Sequence, residues 1–172
     1  MSKTFLQAGY GKVRGVSMAA SGCGPTAVAD IVYNTKKDIT PAAVAEWLYK
    51  RGDFGTSGTT RTGITDALGH YGYQCLYATP EHAGGAEWDF FVSLFKNMHE
   101  YLCWGIVLTV GRKNGGLDDY WTSGGHYLAI TDYDPKTGRV FVRDPAGRRT
   151  GYHDVGKLKY DTNAMWFITK QY

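Results

Sequence analysis

At residue 104 the pattern of this chain changes. Before it, apolar residues recur at helical spacing, in four groups: Ala27, Val28, Ile31 and Val32; Val44, Trp47 and Leu48; Ile64, Ala67, Leu68 and Tyr71; and Phe91, Leu94, Phe95, Met98 and Leu102. From Trp104 to Val110 comes an apolar run rich in β-branched residues. Strand-like stretches follow at 126–133, 139–144 and 165–169, and one shorter strand, 73–78, precedes it. Helices first and strands later is the order of an α+β fold, not of alternating βαβ units. No linker divides the two halves, so residues 1–172 are expected to form a single domain. Its N-terminal helices should pack on a C-terminal antiparallel sheet, and the cleft between them is the natural place for a site.

Local signals set the boundaries. The first helix is expected from about Pro25 to Asn34. Thr40 and Pro41 open the second, which Gly52 ends. Thr62 can cap the third, and the fourth should span about 88–102. Residues 3–20 read as an irregular lead-in and 79–87 as a loop, while 148–162 stay unassigned. Asp134-Pro135-Lys136-Thr137-Gly138 is a turn that makes a hairpin of the strands on either side. The segment from Gly55 to Gly63 is rich in glycine and threonine, but no Gly-Lys-Ser/Thr follows, so it is a loop and not a phosphate cradle.

Several function classes fall away. A net charge of +3, with only the short pairs Lys36-Lys37 and Arg148-Arg149, does not make a nucleic-acid surface. No apolar run is long enough to span a membrane. The start, Met1 to Gln7, has no apolar signal-peptide core, so a cytoplasmic location is expected, or an extracellular or cell-wall one if the chain has been trimmed. Three scattered cysteines form no disulfide framework and no Cys-x-x-Cys zinc site, and no cofactor or metal is expected.

The chemistry centres on Ser21-Gly22-Cys23-Gly24-Pro25-Thr26. Proline in a first helical turn puts Cys23 at or just before a helix N-terminus, where amide dipoles favour a thiolate. The flanking glycines leave the sulfur approachable. Such a cysteine is either a nucleophile or a small buried residue at a tight helix entry. Cys75 reads as core or half-buried, and Cys103 as buried. A nucleophile needs a base, and the base needs an orienting partner. Of five histidines, His70, His82, His99 and His153 sit in polar settings that read as surface. His126 opens an apolar strand directly after Gly124-Gly125, and Asp144 ends the next strand of the same hairpin. The two can lie at one end of adjacent strands, where Asp144 would orient the ring. Asp before Pro is also a common turn former. Trp121 and Tyr127 line the cleft or belong to the core.

Ser-Gly-Cys23-Gly-Pro-Thr-Ala, Gly-Gly-His126-Tyr-Leu-Ala-Ile and Val-Arg-Asp144-Pro, in this order, resemble the signature blocks of papain-like cysteine peptidases. The similarity is to free-standing relatives of the double-glycine leader peptidases of bacteriocin exporters. It implies a Cys23–His126–Asp144 triad acting on peptide or amide bonds, with a peptide or peptide-like substrate. It also implies that Gln7, upstream of the cysteine, helps form an oxyanion hole. NlpC-type peptidases usually place the base closer to the nucleophile; here about a hundred residues separate Cys23 from His126. Two other readings keep the same site: an acyltransferase or amidase, and a catalytically silent peptide- or glycan-binding module.

Overall fold

The computed structural model describes residues 3–80 and 86–170. After a 3₁₀ turn at Gln7–Tyr10, the N-terminal half holds β1 (Lys12–Val13), β2 (Val16–Ser17), α1 (Met18–Ser21), α2 (Cys23–Val32) and α3 (Pro41–Lys50). It continues through β3 (Phe54–Gly55), β4 (Gly58–Thr59), α4 (Arg61–His70), β5 (Tyr73–Ala78) and α5 (Ala86–Phe95). The C-terminal half adds β6 (Cys103–Val110), β7 (Gly125–Asp134), β8 (Arg139–Arg143), β9 (Gly151–Asp154), α6 (Gly156–Lys159) and β10 (Thr162–Lys170). The fold is α+β, as the order of patterns predicts. No helix among the described residues is long and apolar enough to cross a membrane.

Six strands form one antiparallel sheet in the order β5-β10-β6-β7-β8-β9. The last strand of the chain thus lies inside the sheet, between β5 and β6. Successive residues of a strand point to opposite faces, and here both faces are covered. Ile106, Ala129, Trp166 and Ile168 pack against the core of α2, α3 and α4, which includes Ile31, Val44, Leu48, Ile64 and Leu68. Val107, Leu128, Ile130, Met165 and Phe167 pack on the other side with Trp88, Phe91, Phe95 and Met98. Burial on both faces is why β6 reads as a continuous apolar run and not as an alternation.

Several expected boundaries move. Thr60, not Thr62, caps α4, its hydroxyl accepting from the Gly63 amide at 2.9 Å. The expected loop at 55–63 contains most of the β3–β4 hairpin. The irregular lead-in holds β1, β2 and α1. The fourth helix breaks at Phe95 into a 3₁₀ segment, Lys96–His99, and Leu102, expected in the core, is exposed. The unassigned stretch supplies β9 and α6. Trp121 and Tyr127 are both core residues: the Trp121 indole donates to the Lys157 carbonyl at 3.0 Å and the Tyr127 hydroxyl to the Thr59 carbonyl at 2.9 Å.

Candidate active site

Cys23 is the first residue of α2, and Gly22 is the N-cap. The sulfur-bearing residue is half-buried, whereas Cys103 is buried and Cys75 sits half-covered in β5. The helix starts two residues earlier than Pro25 because a short preceding helix, α1, feeds straight into it through Gly22, whose amide donates to the Met18 carbonyl at 2.8 Å. Thr26 closes the first turn, its hydroxyl donating to the Gly22 carbonyl at 2.7 Å.

The glycines beside Cys23 have a different reason from the one the sequence suggests. A Cβ on Gly22 would lie 2.6 Å from the Met18 carbonyl oxygen, and one on Gly24 2.5 Å from Thr59 Oγ1 and 2.6 Å from its Cβ. They let α1 and the β3–β4 hairpin approach the start of α2, and do not merely clear a path to sulfur. Gly24→Ala should therefore destabilise the protein by about 1–3 kcal/mol through overpacking. A chemical-denaturation midpoint no lower than wild type would contradict this.

His126 stands at the start of β7, 6 % exposed. Its Nε2 is 2.6 Å from Asp144 Oδ1, and Cys23 lies close enough to the ring to shift its protonation. With Nε2 taken by Asp144, Nδ1 is the nitrogen left for the sulfur. Helix α2 packs against β7, so the cysteine comes from the helical layer and the histidine from the sheet. Burial alone would lower the histidine pKa. The bond to Asp144, the nearness of Cys23 and the charge of both outweigh it and push His126 up to about 9.

Asp144 follows the last residue of β8 and is completely buried. Oδ1 accepts from His126 and from the Ala146 amide at 2.9 Å; Oδ2 accepts from the Arg149 amide at 3.0 Å. Its own amide donates to the Thr150 hydroxyl at 2.9 Å. Burial works to raise this carboxyl, but the histidine and the two amides win and hold it below the usual carboxylate value. The turn and the bond to the His126 ring thus coexist in one residue.

Gln7 is buried, not on the surface. Its backbone amide donates to the Pro145 carbonyl at 2.9 Å, tying the N-terminal segment to the Asp144 turn. Its side-chain Nε2 donates to the carbonyls of Met18, at 3.2 Å, and Ala19, at 2.9 Å, while Oε1 is buried without a partner. Both amide protons are thus engaged on the helix that leads into Cys23. Of the remaining histidines, His70 is exposed and stacks on Trp47 with ring centroids 4.4 Å apart. His153 is half-buried and reaches the Arg149 carbonyl at 2.7 Å. His82 lies outside the described residues.

Solved structures share this fold at low sequence identity. One is the peptidase domain of Streptococcus ComA, a bi-functional ABC transporter involved in a quorum-sensing pathway. It is 18% identical with a TM-score of 0.60, over 94% of this chain and 99% of that one. A double-glycine-motif protease from an AMS/PCAT transporter, solved with its leader peptide, is 16% identical with a TM-score of 0.54, over 98% and 99%. The N-terminal peptidase C39 like domain of a toxin-secretion ATP-binding protein from Vibrio parahaemolyticus is 13% identical with a TM-score of 0.50, over 88% and 98%. No curated protein matches the chain. The family model described as Peptidase_C39 like matches residues 7–172, which include Gln7, Cys23, His126 and Asp144, and the chain belongs to that family.

Proposed function

We propose that this chain is a cysteine peptidase of the double-glycine type, with Cys23 as nucleophile, His126 as acid and base, and Asp144 as orienter. The observation that carries the reading is the His126 ring held between a buried carboxylate, 2.6 Å away, and a cysteine at a helix N-terminus. A histidine whose pKa is raised to about 9 is an imidazolium at neutral pH. It pairs with the Cys23 thiolate, which attacks the scissile carbonyl carbon. The tetrahedral intermediate collapses as His126 Nδ1–H gives its proton to the departing amine, leaving an acyl-enzyme. Neutral His126 then takes a proton from water, whose oxygen attacks the thioester and releases the acid.

The developing oxyanion is met by the Cys23 backbone N–H and by Gln7. Gln7 serves by exchanging its longer bond, to the Met18 carbonyl, for the charge that forms only during reaction; catalytic hydrogen bonds often tighten only in the loaded complex. Gln7→Ala should lower kcat roughly 10²–10³-fold and leave Cys23 alkylation nearly unchanged. Its buried bonds to Met18 and Ala19 add a stability loss of about 1–3 kcal/mol. Normal kcat with the stability loss alone would leave Gln7 as a brace for α1.

Iodoacetamide labelling of the folded protein near neutral pH, with mapping of the modified peptides, tests the nucleophile without a known substrate. Cys23 should react much faster than the other two. Burial pushes the Cys103 thiol up to about 11 and raises Cys75 as well. Equal labelling of all three would sink the reading. Peptides carrying a Gly-Gly pair, offered beside Ala-Ala versions, should be cut after the second glycine and lose cleavage in Cys23→Ala. Fast Cys23 labelling with no cleavage of either would favour the silent binding module.

A further inference from the structure

Two charged residues that the proposed chemistry does not use are buried on the same two elements that carry it. Asp30 lies on α2, about two turns beyond Cys23, and is 2 % exposed. Arg143 is the last residue of β8, directly before Asp144, and is 7 % exposed. Both line a cavity of about 300 Å³, together with Tyr33, Thr131, Phe141 and Tyr152.

Neither group is satisfied as it stands. Arg143 Nε donates to the Thr131 hydroxyl at 2.9 Å and Nη1 to the Thr4 hydroxyl. Among the described residues no carboxylate lies within 4.0 Å of its nitrogens, so the guanidinium is buried with two hydroxyl partners and the Phe141 ring, whose centroid is 5.0 Å from its carbon, and with no counter-ion. A buried cation without a counter-ion is costly, and three of its five N–H donors remain. Asp30 Oδ1 accepts from the Phe5 amide at 3.0 Å, but Oδ2 is buried with no partner. Burial pushes this carboxyl up to about 8, against the pull of the Phe5 amide and Arg143. Burial thus favours its protonated form, and Oδ2 is the oxygen left to carry the proton.

We propose that this cavity is a second binding site, for a small carboxylate, with Arg143 as its counter-ion and Asp30 as a further hydrogen-bond donor. The planar guanidinium fork fits a carboxylate, and the Tyr33 and Phe141 rings offer an apolar wall to the group that bears it. A dianionic phosphate fits worse. Asp132, whose Oδ2 accepts from the Tyr152 hydroxyl at 2.7 Å, puts a like charge on the same lining. The carboxylate can be that of a free organic acid or of a peptide C-terminus, and the site is independent of whether Cys23 is catalytic.

The test is a thermal-shift titration of the wild-type protein at neutral pH. The probes are benzoate and the dipeptide Ala-Phe, each beside its amide, with inorganic phosphate as a further arm. Saturable stabilisation by a carboxylate but not by its amide is expected, as for any ligand that binds only the folded state. Tighter benzoate binding marks a free acid as the source, and tighter dipeptide binding a peptide terminus. Arg143→Gln should weaken binding roughly tenfold or more, the loss of a charge-assisted bond. Asp30→Asn, which can still accept from Phe5 and donate into the cavity, should stay within a few-fold. Wild-type crystals soaked in 4-bromobenzoate locate the site by bromine anomalous scattering, which decides the matter even if Arg143→Gln does not fold. Bromine between α2 and β8 is the expected result. Equal effects of acid and amide, tighter binding of phosphate, no saturable shift, or only water between Asp30 and Arg143 would each overturn the proposal.

Discussion

His126→Ala is expected to lower turnover of a Gly-Gly peptide by roughly 10⁴-fold or more, since removing a base that acts as a unit with its nucleophile costs nearly the whole rate. The ring has two jobs in the proposed cycle, holding the thiolate and protonating the leaving amine, and alanine does neither. The same variant should slow Cys23 alkylation at mildly acidic pH, because only the thiolate reacts and its imidazolium partner is gone. It should remain folded, because Asp144 keeps the Ala146 and Arg149 amides at 2.9 and 3.0 Å. In the wild type, activity should fall as pH rises through about 9, where His126 loses its proton and with it the general acid. An alkylation profile that does not move on substitution would remove His126 as the partner of Cys23.

Asp144→Ala should be the most damaging substitution for stability, about 3–5 kcal/mol, the usual cost of deleting one member of a buried charged pair. It strips the partner from His126 Nε2 and leaves the Ala146 and Arg149 amides without their acceptor. Asp144→Asn should fall between wild type and alanine. One oxygen can still accept from His126 and Ala146, but the NH₂ group then faces the Arg149 amide, donor against donor. The pH dependence has a definite sign. His126 is raised, so its contribution is complete below the ordinary histidine value, about 6.5, and is lost as pH rises through about 9. Asp144 is lowered, so its contribution is complete above the ordinary carboxyl value, about 3.9, and is lost as pH falls through its lower folded value. The gap between wild type and Asp144→Ala should be widest between about pH 4 and 6.5 and shrink on either side. Equal stability and activity of the alanine and asparagine variants would reduce Asp144 to a turn residue.

The arrangement also separates Cys23 from Asp144 in kind. The cysteine is half-buried and reachable, whereas the carboxylate is sealed and fully bonded. In the proposed cycle, exposure belongs to the atom that must meet substrate, and the atom that would only set a ring's position and charge works better in a low-dielectric, fully satisfied pocket.

Local pattern was enough to write down the α+β class, all of β5, most of β6, β7 and β10, and the helices α2, α3 and α4 to within about two residues. Apolar periodicity and Pro, Gly and Thr punctuation are local properties, and local properties are legible in one dimension. Cys23, His126 and Asp144 stand out as candidates for a local reason too, because their neighbours are peculiar: glycines and a proline around the thiol, a glycine pair before the histidine, a turn after the aspartate. The placing of β10 between β5 and β6 was not legible, since strand order is decided by which apolar faces can be covered together. The need for Gly22 and Gly24 was not legible either, because Met18 and Thr59 are brought against them by packing. Asp30 did leave a trace, a lone charge within the apolar stretch Ala27–Val32, whereas Arg143 merely follows Val140–Val142 and stands beside Asp144. A charge in such a stretch reads equally as a solvated edge until burial is known, and only the docking of α2 on the sheet turned these two charges inward, toward one cavity.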